Sequence, residues 1–311
     1  MTRLSVICAG LLGVTLVLGS PAQVSWGQSS ISAKISDAAR VFAENQPQLQ
    51  ALNQVQRQRI VEFVIGNALF TLGHELGHAM ISLLDLPVLG REEDAADTFA
   101  ALSLLYIGTE FTRGVLVDTA RGLTLVSEGR DKSGRQPDNF YDEHGLDQQR
   151  AYQIICLMVG SDPNLFRQVA ERAKLSRERQ ETCQQMFEQA QDSWARLLQP
   201  HMRTTSSGKP SFLERLLRLP SRVTQRAARI DINYASSPPE LASYRQVLMS
   251  VGLLEAVRDF GSENFALPRS LTIEAKSCGE PNAYWDPSER KVTLCYELVA
   301  LYAALAMQPE P

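Results

Sequence analysis

The chain is short of several things, and each shortage narrows what it can be. Lys and Arg number 31 against 35 Asp and Glu, for a formal net charge of -4, and no basic tract stands out. Nucleic-acid binding needs clustered positive charge, so nucleic acid is excluded as the expected partner. After Leu18 no segment is apolar enough to cross a bilayer, which takes about 20 residues. No internal repeat is visible. Histidine is scarce: of 311 residues only His74, His78, His144 and His201 are histidines, and the first two stand four apart.

What is present is ordinary for a globular protein. Hydrophobic residues at 44% and charged residues at 21% supply a substantial core, and the length suits one large domain or two small ones.

The N-terminus reads as an export signal. Arg3 gives a positive start, and Leu4 to Leu18 is almost uninterrupted apolar sequence, too short to span a membrane but suited to a signal peptide. Ser20 and Ala22 offer small residues for cleavage after Ala22; cleavage after Gly27 is the alternative. The expected arrangement is therefore a signal peptide over 1–22 and one domain over 23–311, exported to the periplasm or secreted, with no stable membrane span. Cys8 leaves with the signal. Cys156, Cys183, Cys278 and Cys295 remain, an even count that suggests disulfides. Proximity along the chain favours Cys156–Cys183, tying two helices, and Cys278–Cys295, stapling strands.

Periodicity divides the chain in two. Gln23 to Ser36 is polar and reads as a flexible lead-in. From about Gln48 apolar residues recur at three and four positions, predicting a helix that runs through His74 to about Leu84. Pro87 and Gly90 break it. Further helices are expected from about Arg91, over 111–127, 146–159, 162–173 and 177–199, with a polar loop over 129–140 that could act as a surface lid. A Ser/Thr/Gly/Lys-rich linker follows at 204–210. Beyond it the alternation at 229–234, and strands at 271–275, 283–285 and 291–296, surround a helix over 239–259. The fold class is α+β: a helical part over about 38–203 and a C-terminal part over about 228–311 carrying a small sheet.

The chemistry concentrates in His74-Glu75-Leu76-Gly77-His78. Positions four apart on a helix lie about 40° apart on one face, so two imidazoles can aim at one ion, as tetrahedral zinc requires. Glu75 sits at the margin of that face, where its carboxylate can take a proton from a water. Gly77 lets another backbone pack close. A third ligand is needed, and Glu92-Glu93-Asp94-Ala95-Ala96-Asp97 opens the next helix. Glu93 is favoured because Asp97 follows it by four residues and can accept the second ring N–H of a ligand histidine. Glu92 or Asp94 could be the ligand instead, and acids at a helix start also favour its dipole.

The runs HELGHAMISLLDLPVLGREEDAADTFA, DEHGLDQQRAYQIICLMVGSDP and CGEPNAYWDPSERKVTLCYEL resemble a bacterial zinc metallopeptidase family of unknown function, covering most of the mature chain. The wider likeness is to the gluzincins. That resemblance implies a zincin-like fold, zinc held by His74, His78 and Glu93, Glu75 as general base, and Asp97 supporting a ligand. The substrate is left open beyond peptide or protein.

One departure stands out. In many zincins the strand that pairs with substrate precedes the metal helix, whereas here the strands follow it, so the hairpin around Ala283 to Cys295 is expected to fold back to edge the cleft; a peripheral cap is the alternative. His144, just after the polar loop, could stabilise an oxyanion; a helix-capping role is the alternative. Tyr284, Trp285 and Tyr296 could line the cleft, although strand aromatics are more often core. Two other functions compete with a peptidase: a zinc-stabilised binding or scaffold protein, and a zinc hydrolase of non-peptide amides such as cell-wall linkages. Glu75 favours catalysis, since a structural site needs no base; four closed protein ligands would favour the scaffold.

Overall fold

The computed structural model describes residues 28–132, 143–203 and 228–308. The expected signal peptide over 1–22, most of the polar loop and the 204–210 linker lie outside these residues. Eight α-helices are described before the sheet region: α1 (Gln28–Asn45), α2 (Pro47–Gln50), α3 (Gln54–Leu84), α4 (Glu92–Ile107), α5 (Glu110–Lys132), α6 (Asp147–Ser161), α7 (Pro163–Arg172) and α8 (Arg177–Leu198). Then come β1 (Ile230–Tyr234), α9 (Ala242–Val251), α10 (Leu253–Asn264), β2 (Leu271–Lys276), β3 (Ala283–Asp286), β4 (Lys291–Cys295) and α11 (Tyr296–Ala306). The chain is α+β, mainly helical with a small C-terminal sheet.

The sequence reading is corrected at three places. The expected lead-in carries α1, because Ile31, Ile35, Ala38, Ala39 and Phe42 form an apolar stripe at helical spacing and are all buried. The helix expected from Gln48 is two helices. Asn53 restarts the chain with a capping box, its side chain accepting from the Gln56 N–H while the Gln56 side chain accepts from its own. The helix over 239–259 divides at Gly252, whose φ of 71° ends α9 and starts α10.

The central element is α3. From Ile60 to Leu84 it is buried on nearly every side, as a helix enclosed by other layers must be. It stops at Asp85, which takes a left-handed conformation (φ 53°) while the Leu86 N–H bonds back to the Ile81 carbonyl. One flank of α3 meets α4 and α5; another meets α1, α11 and the strands β3 and β4.

The sheet order is β1-β2-β4-β3. β1, β2 and β4 run parallel, and β3 returns antiparallel as an edge strand. Leu271, Ile273, Ala275, Val292 and Leu294 are buried and share one apolar cluster with Leu76, Met80 and Leu83 of α3. The hairpin thus packs on the helix that carries the histidines. A second cluster joins α4, α5, α6, α7 and α8.

Both expected disulfides are present. Cys156–Cys183 ties α6 to α8, and Cys278–Cys295 joins the loop after β2 to the end of β4. The second therefore clamps a loop to a strand rather than two strands. Tyr296 is fully buried and its hydroxyl donates to the Ala235 carbonyl, which makes it core, not cleft. Trp285 packs against the main core, and Tyr284 lies half-buried beside Lys276.

Candidate metal centre

The site is built where α3 and α4 come closest. A Cβ on Gly77 would lie 3.0 Å from the Ala96 Cα, and one on Gly73 3.3 Å from the Ala100 Cβ. Absent side chains on one helix and alanines on the other let the backbones approach. The turn at 85–91 reverses the chain, so Glu93 and Asp97, on the face of α4 that includes Ala96 and Ala100, come against the histidine face of α3.

The donor atoms converge. The Nε2 atoms of His74 and His78 lie 3.1 Å apart. Glu93 reaches both, with Oε2 3.0 Å from His74 Nε2 and Oε1 3.3 Å from His78 Nε2. Bonds of about 2.0–2.1 Å to a tetrahedral ion set ligand atoms about 3.3 Å apart, so these separations suit a metal.

The outer nitrogens make the fit more specific. His74 Nδ1 is 2.7 Å from Asp97 Oδ1, and His78 Nδ1 is 2.8 Å from Glu92 Oε1. A carboxylate accepts, so each Nδ1 carries the hydrogen and each neutral ring presents an Nε2 lone pair inward. Two lone pairs and a carboxylate facing one another at 3 Å call for a cation. Protons can meet the same demand. Burial works against charge on His74, but its bonds to Asp97 and Glu93 prevail and hold its pKa at about 9. His78 is raised likewise by Glu93 and Glu92 despite burial. Burial also opposes charge on Glu93, but bonds from His144, His74 and His78 keep it ionised far below the usual carboxylate range.

Asp97 is held in turn. Arg150 on α6 donates to both of its oxygens, at 2.7 and 2.9 Å, while the aspartate side chain is only 6% exposed. Burial would raise the Asp97 pKa, yet Arg150 and His74 push it well below the ordinary range. The chain of contacts Arg150–Asp97–His74 therefore fixes the tautomer of His74 from outside the site. On α11, the Tyr302 hydroxyl lies 2.7 Å from that of Thr71, one turn before His74.

Glu75 is buried, and burial raises its pKa against the lowering influence of His74 and His78. Among the described residues its carboxylate makes no hydrogen bond to another side chain. A buried, basic carboxylate beside the donor cluster is suited to taking a proton from water.

His74, His78, Glu93 and Asp97 are thus brought together as the spacing predicts. Among the described contacts Asp94 makes no bond to them: its main-chain carbonyl accepts from Thr98, and its carboxylate lies on the side of Gly145. Glu92 is at the site in a different position, bonded to the outer nitrogen of His78. His144 is nearer than a remote helper, its Nε2 lying 2.7 Å from Glu93 Oε2. Two partners are beyond what the sequence names. Arg150 reads from the sequence as paired with a nearby acid that nothing there identifies, and the structure supplies Asp97; nothing in the sequence ranks Glu92 as the partner of His78.

The profile of a family described as "Putative metallopeptidase" matches residues 31–198 and 234–310. No curated protein and no solved structure matches the chain. The matched segments contain every residue of the site, and the chain belongs to this metallopeptidase family.

Proposed function

Taking that membership as the premise, we propose that the protein is a zinc-dependent peptidase in which His74, His78 and Glu93 hold the metal and Glu75 is the general base. The observation carrying this reading is the pair of inward-facing Nε2 atoms 3.1 Å apart, each ring anchored through Nδ1 by a different carboxylate. Zinc bound there would polarise the scissile carbonyl and lower the pKa of an attacking water towards about 7. Glu75 accepts the water proton on its carboxylate and returns it to the departing amine nitrogen. Asp97, clamped by Arg150, keeps the hydrogen of His74 on Nδ1, and Glu92 does the same for His78. The substrate is a peptide or protein, and the free edge of β3, in the hairpin packed on α3, is where an extended chain would add. The mature chain, 23–311, works as one exported unit, in keeping with its two disulfides.

A second reading, a zinc-stabilised binding protein without turnover, draws its support from His144, which brings a further donor to Glu93. Glu75, buried and without a side-chain hydrogen bond among the described residues, weighs against it.

Metal analysis with a peptide-library cleavage assay tests the proposal. Wild type should carry one zinc per chain and cleave; Glu75→Gln should keep the zinc and lose about 100- to 10,000-fold in rate. Stoichiometric zinc with no cleavage by wild type would sink the peptidase reading.

A further inference from the structure

We propose that His144 is a fourth, exchangeable protein ligand to the metal, resting on the ligand set proposed above. His74, Glu93 and His144 each bring a donor atom within 4.8 Å of the others. His144 Nε2 is 2.7 Å from Glu93 Oε2, the same oxygen that lies 3.0 Å from His74 Nε2. Its ring also stacks on that of His74, with centroids 5.9 Å apart and planes 21° from parallel. An imidazole nitrogen that close to a ligand oxygen lies within reach of the same ion. It would take the position that a catalytic site otherwise leaves to water or substrate.

Exposure explains why this ligand exchanges while the others stay. The side chains of His74, His78 and Glu93 are 5%, 12% and 15% exposed, whereas that of His144 is 45% exposed. The first three stand on α3 and α4, helices locked together at Gly77 and Ala96. His144 lies in a bend three residues before α6 begins at Asp147. With a metal held there, His144 would complete the protein donor set at rest, and its withdrawal would free a position for an incoming carbonyl or carboxylate. The released ring would stay beside Glu93, where its N–H could face the oxygen that gains charge.

The test is metal binding and spectroscopy on the full mature chain. Zinc affinity is measured by chelator competition for wild type, His144→Ala, His144→Gln and the neighbouring control Glu143→Ala. The visible spectrum of each cobalt(II)-loaded protein is recorded with and without acetohydroxamate. Removing His144 should weaken zinc binding about 10- to 100-fold, the range in which loss of a supporting group already falls. It should also change the cobalt spectrum and tighten acetohydroxamate binding about tenfold or more; Glu143→Ala should match wild type. Unchanged zinc affinity, cobalt spectrum and acetohydroxamate binding in both His144 variants overturn the proposal while leaving the three-ligand site intact. Full zinc retention in Glu93→Ala would instead remove that underlying ligand set, and His144's place with it.

Discussion

Arg150→Met isolates the support behind the metal centre without touching any proposed ligand. The substitution keeps much of the side-chain volume and removes both donors to Asp97. Asp97 is then a carboxylate only 6% exposed, with His74 as its remaining polar partner among the described contacts. Stranding one member of a buried ion pair costs about 3–5 kcal/mol. Arg150 is itself 15% exposed, so water can partly replace it and the lower end, about 3 kcal/mol, is expected. For a protein of this length that shifts the melting temperature by roughly 6–12 °C. Zinc affinity should fall about 10- to 100-fold, because Asp97 no longer holds the His74 ring in one orientation. Calorimetry and chelator competition measure the two effects. Asp97→Asn combined with Arg150→Met removes both charges, so its loss of stability should be smaller than the sum of the singles by about 1 kcal/mol or more. Strict additivity, or a single-variant loss under about 0.5 kcal/mol, would refute the coupling.

Zinc binding should depend on pH with a defined sign. The His74 pKa is held at about 9 in the metal-free protein, so below that pH an incoming ion must expel a proton. Affinity should climb about tenfold per pH unit for each proton released and level off above pH about 9; a flat profile by calorimetric titration would contradict the arrangement. Gly160→Ala should destabilise by about 1–3 kcal/mol or more, since the new methyl collides with the Cys183 carbonyl and the Phe187 Cβ where α6 crosses α8; a denaturant midpoint equal to that of wild type would count against that packing. Replacing Cys278 and Cys295 together by alanine opens a loop with a sequence separation of 17. The expected cost is about 3 kcal/mol, seen as a lower melting temperature with zinc stoichiometry unchanged. Loss of zinc in that variant would mean the clamp reaches the metal centre directly.

Much of this protein was determined locally, and local features are what a sequence displays. The 3.6-residue period set α3 through α8, the alternation set the strands, and proximity set both disulfide pairs. His74 and His78 share a face by helix geometry alone, and Glu93 with Asp97 does so on the next helix. Where the local pattern misleads, the cause is also local: the stripe of α1 begins inside a polar stretch, and Asn53 and Gly252 each divide what looks like one helix. Tertiary structure alone decided the relations between distant segments. Arg150 meets Asp97 across 53 residues because α6 packs against α4. Glu92 rather than water holds the outer nitrogen of His78, and His144 comes to the donor cluster itself. The strands reach α3 from the far end of the chain because their buried face completes its apolar coat. Such contacts follow from shape and burial summed over the whole core, and no spacing along the chain encodes them.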